Sequence, residues 1–305
     1  MNPIEHADTS THRTGVPGRS TTIPAHAIVV GLDHSPQSTA ALEWAAAEAV
    51  RRDLPVHLLH AVQSPLWLGP DGVDDYEPEP SGCVADARRA LADSYATLAV
   101  TWSQPYGDPL PALTWASRFA TLLAVGTRGR GPVRQVVGGS TAVELIADAH
   151  CPVVVSRTPL RKVQESDPVV VGLEGRPSDG DALRAAFLAA DIHRRPLVVV
   201  HVTDYGFLER ARIEQLVAAE RRNHPTNSVN VLVKRGDPAD ILLTSSANAS
   251  LLVLGSHGRH EAAGALLGSV GQAVLRRAVC PVLIAREGTL RPFDATVTED
   301  GADDE

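Results

Sequence analysis

The sequence predicts an α/β chain of two tandem domains, each a doubly wound, five-stranded parallel sheet flanked by helices. Three observations carry this. Short apolar runs alternate with amphipathic helical stretches, the pattern of parallel strands joined by crossover helices. A motif of the form Gly-x2-Gly-x9-Gly-Ser occurs twice, as Gly126, Gly129, Gly139-Ser140 and as Gly255, Gly258, Gly268-Ser269. Around each copy the same order of segments recurs, and 305 residues leave room for two domains that each bury a core.

The chain from Met1 to about Pro24 has no periodicity, so residues 1–24 are expected to be a disordered tail. The first domain is expected at 25–157. Ala27-Ile28-Val29-Val30 reads as a buried strand ending at Gly31-Leu32-Asp33. Ser35-Pro36 supplies an N-cap and a proline at the first helical position. The helix from about Gln37 to Arg52 places Leu42, Ala45, Ala46 and Ala49 on one face. A strand from Val56 to Val62 follows. Ser64 to Gly82 holds Trp67, prolines and five acids, and reads either as a lid or as a solvated insertion.

A helix from about Val84 to Val100 leads to a third strand near Thr101 to Gln104. Gly107-Asp108-Pro109 opens a helix towards Phe119. The strand Leu122–Val125 then delivers the first glycine motif, and Thr141-x-x-Glu144 reads as a capping box. The helix runs to Ala149, and Cys151-Pro152-Val153-Val154-Val155 forms the fifth strand. After a polar linker at 158–167, a second domain at 168–287 repeats the order. Pro168 to Glu174 matches the first strand, His201 matches His60, Gly236-Asp237-Pro238 matches Gly107-Asp108-Pro109, and Cys280-Pro281 matches Cys151-Pro152. Residues 288–305 read as an acidic, disordered tail.

Composition narrows the function. A formal charge of −8 disfavours nucleic acid or an anionic membrane as partner. No apolar run approaches membrane length and no signal-peptide core is visible, so a cytoplasmic protein is expected. Cys83, Cys151 and Cys280 have no metal-ligand spacing, and no metal site is predicted. Cys151 and Cys280 read as buried strand starts. Cys83, placed in a loop, is the one candidate for redox sensing.

Glycines let a backbone approach an anion closely, and a helix N-terminus favours phosphate. In doubly wound sheets, ligands sit beyond the carboxyl ends of the strands. Gly31–Asp33, the residues after the second strand and the Gly126 loop should therefore share one crevice. Asp33 either caps the following helix or faces a ligand. His60 and His201 read as core histidines, with no acid placed by sequence to orient them. Arg128, Arg130 and Arg259 either screen phosphate or are solvated. No Walker lysine follows the loops and no positioned base is evident, so fast hydrolysis lacks machinery.

These residues together resemble the universal stress protein family in its tandem form. The likeness rests on Val-Val-Gly-Leu-Asp-His-Ser-Pro, Gly-Asp-Pro, the spaced glycine motif and Cys-Pro-Val-Val-Val. It implies Rossmann-like domains and an ATP-binding regulatory module in which Mg²⁺ could accompany the nucleotide. By resemblance, Gly31 and Asp33 would meet the nucleoside and Ala61 the adenine. Gly126, Thr127, Arg128, Gly129, Arg130, Gly139, Ser140 and Thr141 would wrap the phosphates. The second set is Gly172, Glu174, Val202, Asp204, Gly255, Ser256, His257, Gly258, Arg259, Gly268, Ser269 and Val270. Glu174 departs from the family's aspartate, which predicts a weaker second site. The likeness also implies pairing through the last strand of each domain, within the chain or in a homodimer, and a protein partner of unknown identity. The alternatives are a nucleotidyl-transferring enzyme on a related fold, or a scaffold that has lost nucleotide.

Overall fold

The computed structural model describes residues 22–62, 82–127, 140–157, 162–204, 206–256, 267–286 and 288–289. The first half runs β1 (Ile28–Gly31), α1 (Pro36–Arg52), β2 (Val56–Leu59), α2 (Gly82–Ser94), β3 (Val100–Ser103), α3 (Pro109–Ala116), β4 (Leu122–Gly126), α4 (Ser140–Asp148) and β5 (Val153–Ser156). The second half runs β6 (Val169–Leu173), α5 (Gly180–His193), β7 (Leu197–Val202), α6 (Gly206–Arg221), β8 (Val229–Lys234), α7 (Pro238–Ser245), β9 (Leu251–Gly255), α8 (Ser269–Arg277) and β10 (Val282–Ala285). A 3-10 turn, Pro177–Asp179, precedes α5.

Two five-stranded parallel sheets result, and they fuse into one. The strand order is β3-β2-β1-β4-β5-β10-β9-β6-β7-β8. Every neighbouring pair is parallel except β5 and β10, which run antiparallel with Val154 opposite Leu283. The two apolar edges thus cover each other within the chain, which removes the exposed edge either would otherwise present.

Alternation along the strands sends side chains to opposite faces. Val154 and Leu283 join Ala45, Ala46 and Phe187 in a core under α1, α2, α5 and α6. Val153, Val155, Val282 and Ile284 join Ile146 and Val274 in a second core under α4 and α8. Each core draws residues from both halves. Among the described residues no helix is long and apolar enough to cross a membrane.

Several expectations are corrected. Cys83 lies in the first turn of α2 and is nearly buried, not in a loop. Thr141 sits inside α4, which begins at Ser140, so it does not cap that helix. Helix α2 stops at Ser94, and β2 at Leu59 is prolonged only by an isolated bridge between Val62 and Tyr106. Ile23, assigned to the tail, is buried in the second core. At the other end the Gly288 amide donates to Asp181 Oδ2 at 2.6 Å, so the chain is held there too. The rest of both tails and the acidic stretch at 63–81 lie outside the described residues.

Candidate functional site

Strand β1 lies between β2 and β4: the chain runs to one side of it for β2 and β3 and crosses to the other side for β4. That reversal is the topological switch point of a doubly wound sheet, where a crevice opens at the carboxyl ends. In the second half β6 lies between β7 and β9 in the same way. Because β1 and β4 are parallel neighbours, Gly31–Asp33 and Gly126-Thr127 leave the sheet side by side at its carboxyl edge. His60 and Ala61 close in behind, since Leu32 N–H donates to the Leu59 carbonyl at 2.9 Å and His60 Nδ1 hydrogen-bonds the Leu32 carbonyl at 2.7 Å. His201 makes the same bond to the Leu173 carbonyl at 2.9 Å, with Val202 beside it and Asp204 exposed beyond.

None of the four strand-end glycines has a positive φ. A Cβ on Gly31 would press on Val125 and Leu113 at 3.2 and 3.3 Å, and one on Gly172 would strike Leu242 at 2.8 Å. A Cβ on Gly126 would lie 2.8–2.9 Å from the Gln37 and Ser38 backbone region. Glycine is therefore required at Gly126 to seat the start of α1 on β4, a packing reason that the sequence pattern did not announce. Gly255 differs, with nothing within 4 Å of such a Cβ.

Sequence reasoning missed one residue here. Thr127 Oγ1 and Ser156 Oγ are buried hydroxyls without a hydrogen-bond partner among the described residues. They are neighbours: Thr127 N–H donates to the Ser156 carbonyl at 3.0 Å, and Gly126 is in register with Ser156. An orphaned buried hydroxyl is costly unless something satisfies it. Setting the two repeats against each other could have found Ser156, because its counterpart beside Gly255-Ser256 is Ala285. There Ser256 N–H donates to the Ala285 carbonyl at 3.0 Å, and no hydroxyl stands opposite.

The turns after β1 and β6 also diverge. Asp33 Oδ1 accepts from Ser35 N–H at 3.0 Å and from Ser35 Oγ at 2.5 Å. Ser35 is the N-cap of α1, so Asp33 braces the cap without being it. After β6, the amides of Glu174, Gly175 and Arg176 converge on Asp179 Oδ2 at 3.0, 2.7 and 2.8 Å. Glu174 lies 3.7 Å from Arg176. An internal carboxylate thus fills the small amide nest of the second half.

Ser140 and Thr141 open α4, and Ser269 and Val270 open α8, whose N-cap Gly268 offers no side-chain cap. Arg128, Gly129, Arg130, Gly139, His257, Gly258 and Arg259 lie outside the described residues. His201 is fully buried, as expected of a core histidine, and its Nε2 has no hydrogen-bond partner among the described residues. Its Nε2 is 3.7 Å from Glu209 in the first turn of α6. Around His60, the Cys83 thiol is hydrogen-bonded and His34 packs edge-on, with ring centroids 5.5 Å apart. The Cys83 bond, helped by the Leu32 carbonyl and opposed by burial, raises the His60 pKa above its ordinary value.

The model of the universal stress protein family matches residues 25–157 and 206–286. The chain belongs to that family. A universal stress protein of Mycobacterium tuberculosis is 32% identical over 288 residues, covering 86% of this chain and 97% of the relative. One of Mycolicibacterium smegmatis is 32% identical over 285 residues, with the same coverage. Among solved structures, a universal stress protein from Archaeoglobus fulgidus superposes with a TM-score of 0.61 at 20% identity, over 87% of this chain and 97% of that one. The likeness in structure is one of fold, and within this universal stress protein both halves share it.

Proposed function

We propose that the chain is an ATP-binding universal stress protein, a regulatory module whose nucleotide state governs a protein partner, with slow hydrolysis at most. The observation that carries this reading is the pair of buried, unpartnered hydroxyls, Thr127 Oγ1 and Ser156 Oγ, at the switch point where the glycine motif leaves β4. Phosphate oxygens would satisfy such donors, and the start of α4 adds free amides and a favourable dipole. Gly31, Asp33 and Ala61 would hold the nucleoside, and Gly126, Thr127, Ser156, Ser140 and Thr141 the phosphates, with the arginines and glycines of the intervening loop. ATP would supply a bound charge whose presence or loss alters the loop. The residues of this chain bind and orient it, and no residue named here takes a proton in a hydrolytic step.

The second site is proposed to be weaker. Ala285 lacks the hydroxyl of Ser156, and Glu174 has one more methylene than Asp33 and lies beside Arg176. Mass spectrometry of small molecules released from gently purified full-length chain tests the proposal. An adenine nucleotide is expected. No released nucleotide, together with no heat on adding ATP, would favour a scaffold that has lost it.

A further inference from the structure

Beside the crevice, His34, His60 and Cys83 converge from three elements: the turn after β1, the end of β2 and the first turn of α2. Their donor atoms all lie within 4.8 Å of one another. We infer that these three side chains form a site for a borderline-soft divalent cation of the zinc class, with the fourth position open to water. This goes beyond the nucleotide reading and does not rest on it.

The donor set fits. Two imidazoles and a thiolate are the ligands that Zn²⁺ prefers, and three protein ligands plus water is a common open tetrahedral arrangement. His60 is already oriented for it. Its Nδ1 is engaged by the Leu32 carbonyl at 2.7 Å, which fixes the tautomer and leaves Nε2 as a lone-pair donor. Donors around a tetrahedral Zn²⁺ stand about 3.3–3.7 Å apart, given metal–ligand bonds of about 2.0–2.3 Å. Closing the present separation falls to His34, which is exposed on a turn and has room to swing.

The backbone at His34 points the same way. His34 has φ +63°, and its counterpart in the second half, Gly175, has φ +81°. The turn requires a left-handed residue, which glycine provides without steric cost and a side-chain-bearing residue does not. His34 takes that conformation with its ring edge-on to His60. The second half also provides an internal control. Around His201 the matching places hold Gly175 and Glu209, with Glu209 Oε2 at 3.7 Å from His201 Nε2. That half has neither the thiol nor the second imidazole, and is expected not to bind such a cation.

On binding, the Cys83 thiol gives its proton to solvent as the sulfur–metal bond forms. The test is titration of the full chain, stripped of metal and free of nucleotide, with Co²⁺ and then Zn²⁺. One Co²⁺ per chain should produce the thiolate-to-cobalt charge-transfer band and the intense visible bands of a tetrahedral ion, both lost when Zn²⁺ displaces it. The other cysteines, Cys151 and Cys280, are buried at the starts of β5 and β10, so Cys151→Ser and Cys280→Ser should leave the band unchanged. Cys83→Ser should abolish it. His34→Gly should weaken binding roughly tenfold or more, while melting no earlier than wild type. That second variant keeps the test valid even if Cys83→Ser fails to fold. No charge-transfer band in the wild type, or unchanged affinity in His34→Gly, overturns the site.

Discussion

His57 shows how a single buried residue ties stability to pH. Its Nδ1 and Nε2 each lie 2.8 Å from a hydroxyl, Thr101 Oγ1 and Ser103 Oγ, across the β2–β3 pairing. Burial pushes its pKa down to about 4 from an ordinary 6.5, because the ring has no acid to pair with its proton. Between those values the unfolded chain takes up a proton that the folded chain refuses. Stability therefore falls as pH drops from 6.5 to 4, by up to about 3 kcal/mol, and no further from this group below that. Denaturant unfolding across this range should show the slope in wild type and a flatter one in His57→Gln. At the same scale, Glu174→Asp should tighten ATP at the second site roughly tenfold, by restoring the shorter carboxylate. Calorimetry on that variant checks it, and no gain would mean that Ala285 or the Asp179-filled turn limits the second site instead.

The β5–β10 seam is the element that joins the halves. Val154 is fully buried and Leu283 is 3% exposed, and they stand opposite each other. An aspartate at either place buries a carboxylate without a partner, which costs several kcal/mol. Val154→Asp should lower the melting temperature and enlarge the hydrodynamic radius by scattering. An unchanged melt and radius would place the junction elsewhere. The two strand-end glycines should separate fold from binding. Gly126→Ala drives a Cβ into backbone at 2.9 Å and should destabilise the fold by about 1–3 kcal/mol. Gly255→Ala meets nothing within 4 Å, should melt normally, and should weaken ATP at the second site. The succession of strands and helices along the chain was legible in the sequence because apolar runs, turn residues and the duplicated motif repeat the same physics twice, whereas the seam was implied only by the family resemblance. What was not legible depends on distant contacts: Gly126 is small because of Gln37, and Cys83 belongs to a helix start that follows a polar, proline-rich stretch.

Across the whole molecule, the halves also meet through charge. Glu48 on α1 is fully buried, and it bonds Arg52 at 2.6 Å within its helix and His193 Nε2 of α5 at 2.6 Å. Burial alone would raise its pKa, but the Arg52 charge and the His193 hydrogen bond overcome this and lower it to about 2. Its contribution to stability is thus complete above pH 4.5 and is lost as pH falls towards 2. Glu48→Gln removes the carboxylate that both Arg52 and His193 bond, and a loss of about 3–5 kcal/mol is expected at neutral pH. Such a contact spans 145 residues of sequence, and no local pattern around Glu48 announces it. The same long-range logic sets the two candidate nucleotide sites at separate switch points of one continuous sheet. The most direct measurement is a calorimetric titration of the full chain with ATP, in wild type and in Ser156→Ala. Two unequal sites are expected, with the tighter one weakened roughly ten- to a hundredfold by loss of a hydrogen bond to a charged phosphate. No binding in the wild type, or an identical isotherm in Ser156→Ala, would contradict the assignment.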